Sequence, residues 1–164
     1  MQKLKATLRK HLCSAKKTVF LGVGSDLRAD DAAGLIVAGN LSRLFKNNPY
    51  FKSVFGSTSP ENLTGEIKQF CPTHVLIIDS ADLGKKPGCA EVVDFDNIHG
   101  TNIGTHRMSL KVMADYLKAC LGCKVVLLCI QPKIVSFGLK PSQEIKKTAK
   151  VLAKLIRDVF SAKE

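Results

Sequence analysis

Apolar positions recur along the chain with two alternating periods. Leu4, Leu8 and Leu12 stand four residues apart in an otherwise basic stretch, which predicts an amphipathic helix over about residues 1–16. Residues 18–24 form a short apolar run ending in glycines, the signature of a buried strand that turns sharply. Leu35, Ile36, Ala38 and Leu41 then repeat with helical period across residues 32–45. The same alternation gives a strand at 51–55, a loop at 56–62, a helix at about 63–70 and a strand at 74–79 that ends in a carboxylate. Beyond it the pattern predicts a strand at 90–95, a polar loop at 96–105, a helix at 109–121, a strand at 124–130 and a closing helix at about 142–160.

Strands alternating with helices imply a parallel sheet covered on both faces. Only about ten residues separate Asp79 from the strand at 90–95, and Gly84, Pro87 and Gly88 break any helix between them. A parallel crossover usually needs a dozen residues or more, so this strand is expected to run antiparallel at an edge. The expected fold class is α/β: a three-layer α/β/α sandwich on a mostly parallel five-stranded sheet with one antiparallel edge strand. Residues 1–164 read as a single domain, to which the basic amphipathic helix at about 1–16 is an addition.

Composition narrows the function classes. The chain of 164 residues is 45% hydrophobic and carries a formal net charge of +11, which suits an ordinary globular protein and excludes a disordered or collagenous one. No apolar run approaches the roughly 20 residues of a membrane span, and the first helix lacks an uninterrupted signal-peptide core, so a cytoplasmic protein is expected. The charge gathers at the ends, with six basic and no acidic residues in 1–17 and seven basic against three acidic in 140–164. Without Trp and with few aromatics, these ends read as solvated helix faces, and no nucleic-acid partner is expected. Six cysteines, mostly within apolar runs, read as reduced core thiols. Cys120-Leu-Gly-Cys123 is a lone CxxC without a second pair at zinc-ribbon spacing.

In open α/β sheets, ligands bind outside the carboxyl ends of the parallel strands, where strand order reverses. That rule gathers the loop at 25–31, the loop at 57–62, Asp79 with Ser80 and Asp82, and the loop at 131–137. Gly22-Val-Gly24 is like the opening of a dinucleotide fingerprint, but position 27 is Leu where a third glycine is required. Asp30 and Asp31 read most simply as caps of the following helix. Asp79, at the end of an apolar run, faces a desolvation cost of several kcal/mol unless it is paired, protonated or metal-bound. His106 stands before a helix, as a cap, a solvated side chain or a ligand.

These residues carry a family resemblance. Gly22-Val-Gly-Ser-Asp-Leu-Arg-Ala-Asp-Asp-Ala-Ala-Gly34, Ser59-Pro-Glu-Asn62, Ile77-Ile-Asp-Ser-Ala-Asp82, Thr105-His-Arg-Met-Ser-Leu110 and Ile130-Gln-Pro132 resemble, in order and spacing, the motifs of the nickel-iron hydrogenase maturation proteases. The similarity is greatest to the branch serving hydrogenase-3-like enzymes. It implies an endopeptidase of aspartate-dependent type that removes the carboxyl-terminal extension of a [NiFe] hydrogenase large-subunit precursor after nickel insertion. By motif position the implied metal contacts are Asp31, Asp79 and His106, with Asp31 and Asp79 catalytic. Nickel is expected to arrive in the precursor, with zinc or cadmium as surrogates. Ser25 stands where Asn is usual, and Ala32 stands where Gly usually follows the acidic pair, which is expected to narrow backbone freedom at the helix entrance. A non-catalytic metal-recognising chaperone is the alternative. No Gly-x-Ser-x-Gly elbow or His-Glu-x-x-His helix is present.

Overall fold

The computed structural model describes residues 1–95 and 105–161, with the backbone alone at 105–108. Its sheet is built outward from β1 (Thr18–Val23), which pairs in parallel with β2 (Phe51–Ser57) on one side and β3 (His74–Ser80) on the other. β5 (Lys124–Ile130) extends β3 in parallel, and β4 (Ala90–Val93) closes the far edge antiparallel to β5. The strand order is β2-β1-β3-β5-β4, so the expected antiparallel edge strand is present.

Alternation along each strand sorts the side chains into two cores. Phe20, Leu76, Ile78, Leu128 and Ile130 meet α1 (Gln2–Leu12), α2 (Ala33–Leu44) and α5 (Gln143–Ser161) on one face. Leu21, Val75, Ile77 and Leu127 meet α3 (Thr64–Phe70) and α4 (Thr105–Leu121) on the other. Leu4, Leu8 and Leu12 of α1 are all buried in the first core, so the added helix is an integral part of that layer. Near the β2 edge, Phe20, Phe45, Phe51 and Phe160 pack ring against ring, with the Phe45 and Phe51 centroids 4.0 Å apart.

Two expectations are corrected here. The fourth helix begins at Thr105 instead of 109, so the Thr-His-Arg-Met segment is its first turn. Four of the six cysteines, at 13, 71, 89 and 120, are exposed, and only Cys123 and Cys129 are core thiols. The exposed four lie at or just beyond the ends of helices and strands, where an apolar sequence neighbourhood does not guarantee burial. Burial pushes the Cys123 thiol above its ordinary pKa, and its Sγ turns inward to the Leu117 carbonyl oxygen at 3.6 Å. The two members of the CxxC thus lie in different surroundings.

Candidate active site

β1 leads by way of α2 to β2 on its left, and the chain then crosses to β3 on its right. The carboxyl ends of β1 and β3 therefore frame the switch-point crevice where α/β sheets hold their ligands. The two segments bordering it are the loop after β1, which carries Asp31, and the end of β3, which carries Asp79.

The descent of α2 into this crevice requires glycine at two places. A Cβ on Gly34 would stand 2.0 Å from the Ile78 carbonyl oxygen and 2.3 Å from that of Val23, so only glycine lets the helix sit between the two strands. Gly24 turns the chain at φ +126°, and a Cβ there would lie 1.8 Å from the Asp31 carbonyl oxygen. The space beside Gly24 is filled by backbone and offers no cradle for a phosphate.

Ser80 joins the two carboxylates. Its hydroxyl donates to Asp31 Oδ1 at 2.8 Å and its backbone N–H donates to Asp79 Oδ1 at 2.8 Å. The Ser25 N–H donates to the other Asp31 oxygen at 2.9 Å. Asp79 is 4% exposed, while Asp31 is half-buried. Strand parity puts Asp79 on the face of Val75 and Ile77, the face that α4 covers. α4 ends at Leu121 just before β5 starts at Lys124, opposite His74 at the amino end of β3. Seventeen helical residues span about 25 Å, close to the length of the strand it covers, so the first turn of α4 returns to the carboxyl ends of the strands. The backbone of His106 is therefore at the same end and on the same face as Asp79. Its side chain lies outside the described residues, and among these no group of three or more His, Cys, Asp or Glu forms a complete metal cluster.

A profile for hydrogenase maturation proteases matches residues 36–159, a span that holds Asp79 and His106. The chain belongs to this family. A Methanocaldococcus jannaschii protein named as a hydrogenase maturation protease is 33% identical over 170 residues, covering 98% of this chain and all of its own length. The hydrogenase 3 maturation protease of Escherichia coli K12 is 36% identical over 129 residues, covering 78% of this chain and 81% of its own. The crystal structure of a [NiFe] hydrogenase maturation protease from Thermococcus kodakarensis superposes with a TM-score of 0.87 at 31% identity, covering 94% of this chain and 99% of that one. The activity class is that of a peptidase, as the resemblance implied.

Within this maturation protease, the capping role expected of Asp30 and Asp31 is not what the structure shows. Neither the 3-10 turn Ala29–Ala32 nor α2 has a side-chain cap. Asp30 instead accepts hydrogen bonds from Lys133 N at 2.8 Å, Ile134 N at 3.1 Å, Ser142 N at 2.6 Å and Ser142 Oγ at 3.0 Å. Burial pushes its pKa up, but the donors from Ser142, Lys133 and Ile134 outweigh burial and hold the carboxyl below its ordinary value. Ser142 Oγ in turn accepts from Ile145 N in the first turn of α5, so Asp30 anchors the start of that helix.

The two departures from the family pattern have simple consequences. Ser25 supplies its backbone N–H to Asp31, which any residue would do, and its Oγ accepts from Leu27 N at 3.3 Å, closing the turn an Asn would close. Ala32 lies at φ −70° and ψ −1°, a conformation open to every L-residue, so alanine enters the helix there without strain.

Sequence reasoning gave Ser80 and Gln131 no roles. Gln131 is buried, and its Oε1 accepts from Leu83 N at 2.7 Å and Lys85 N at 3.2 Å, fixing the chain that leaves β3 just past Asp79. Both residues stand inside motifs that carry the family resemblance, Ile77-Ile-Asp-Ser-Ala-Asp82 and Ile130-Gln-Pro132, and that was the signal available for them.

Proposed function

We propose that this peptidase removes the carboxyl-terminal extension of a nickel-loaded [NiFe] hydrogenase large-subunit precursor in the cytoplasm. Asp31 and Asp79 carry the chemistry, and His106 completes the contact with the ion. The observation that carries this reading is the joining of the two carboxylates on Ser80 at the switch point.

Two carboxylates and an imidazole suit a borderline divalent ion and leave coordination positions for substrate groups. Nickel enters as part of the substrate, and its attachment to the crevice orients the scissile peptide. Asp31 accepts one hydrogen bond on each oxygen among the described residues, which leaves acceptor capacity for water. As general base it takes a proton from the water that attacks the carbonyl carbon. The C–N bond then breaks and the proton passes to the departing amine. Asp79, buried and held by the Ser80 N–H, supplies a carboxylate oxygen toward the ion.

The test is intact-mass measurement of precursor with and without nickel. Shortening of the nickel-loaded precursor alone supports the reading; processing of metal-free precursor in chelator overturns nickel dependence. Stable association without shortening would instead favour a metal-recognising chaperone. Titration of the isolated protein with nickel, or with zinc or cadmium as surrogates, should show weak binding that His106→Ala diminishes.

A further inference from the structure

Beside the crevice, an open trough of about 600 Å³ runs between α2 and the carboxyl end of β2. This falls within the range of roughly 300–1,000 Å³ typical of sites that engulf a small ligand. Its near end is shared with the catalytic loops. Ala32 directly follows Asp31, and the Ser57 carbonyl oxygen accepts the Gly24 N–H at 3.0 Å. Leu35 and Gly39 of α2 form one wall and Phe55 of β2 the other, with Arg43 at the far end.

Three features suit this trough to an extended polypeptide. β2 is the outer strand of the sheet, paired on one side only, and its far edge has no strand partner among the described residues. Phe55 is 51% exposed, whereas Phe51, four residues earlier on β2, is packed in the aromatic cluster, so a large ring stands exposed at the rim. Gly39 removes a side chain midway along α2, where the sole heavy atom near a built Cβ is Phe55 Cε1 at 4.0 Å. A methyl group at Gly39 would therefore just reach ordinary van der Waals contact with Phe55, and any larger side chain on this wall would project into the trough.

We propose that this trough is the subsite that seats the precursor segment flanking the scissile bond. The segment lies extended along β2 with an apolar side chain between Leu35 and Phe55. This rests on the peptidase reading above, because the trough is continuous with the crevice that would hold the bond.

Gly39→Leu fills the trough, and Gly39→Ala adds only a methyl group. With nickel-loaded precursor, Gly39→Leu should raise KM roughly tenfold or more, the scale of losing one apolar side-chain pocket, with kcat within about threefold of wild type. Its thermal unfolding should be no lower than wild type, since both replacements favour a helix over glycine. Gly39→Ala should raise KM less than about threefold. Phe55→Ala removes the opposite wall without entering the helix and should raise KM in the same way. Wild-type KM in both folded Gly39→Leu and Phe55→Ala would overturn the trough assignment while leaving the peptidase reading intact. Failure of the wild type to shorten the precursor would overturn that reading itself.

Discussion

The clamp around Asp30 and the crevice around Asp31 are entered by consecutive carboxylates that meet opposite surroundings. Asp30 is fully buried and its two oxygens accept four hydrogen bonds from residues more than a hundred positions away. Among the described residues Asp31, half-buried, takes one bond on each oxygen, from Ser25 and Ser80. A carboxylate offers about four acceptor positions. The first aspartate is therefore filled by its own protein, and the second is oriented but left with capacity for a ligand. Acidity beside a crevice therefore does not mark a functional group; unfilled capacity in a fixed orientation does.

Exchanging charge for amide at one site at a time separates the two surroundings. Asp30→Asn replaces an acceptor-only group with one that sets an NH₂ against donors, and it should lower stability by about 3 kcal/mol. Chemical denaturation would show the loss, with the loop at 131–142 gaining hydrogen exchange first. A smaller effect is expected at Ser80→Ala, which removes the hydroxyl bond to Asp31 but keeps the N–H to Asp79. Its cost should be about 1 kcal/mol of stability, accompanied by a several-fold loss of cleavage that Ser80→Thr restores.

The smallest effect is the acid dependence. Because the Asp30 pKa is lowered from 3.8 in the folded protein, its stabilisation is complete above that value and is lost as pH falls through the depressed one. The stability gap between wild type and Asp30→Asn should stay constant down to about pH 4 and narrow below it. A gap that stays constant through strong acid would mean that Asp30 is not charged in the clamp.

Much of this division was hidden in the sequence, for physical reasons. Strand and helix alternation, the short span from Asp79 to Ala90 and the carboxyl-end rule were local signals, and they located the sheet, its antiparallel edge and the positions of Asp31 and Asp79. The partners of Asp30 are backbone N–H groups at 133, 134 and 142, which carry no side-chain signature, so the local cap looked the simpler use of the pair. The apolar pattern starts α4 late because no apolar residue precedes Met108 in its first turn. The role of Ser80 had no local signal, since it comes from the end of β3 lying against Asp31, 49 positions away in the segment after β1.

The most direct test of the assignment is single-turnover cleavage of nickel-loaded precursor by Asp31→Asn at a temperature where the variant is fully folded. Removing a general base should slow cleavage by roughly 100-fold or more, while thermal unfolding stays near wild type because the amide oxygen still accepts a bond from Ser25 or Ser80. Cleavage by the folded variant at the wild-type rate would contradict a catalytic Asp31.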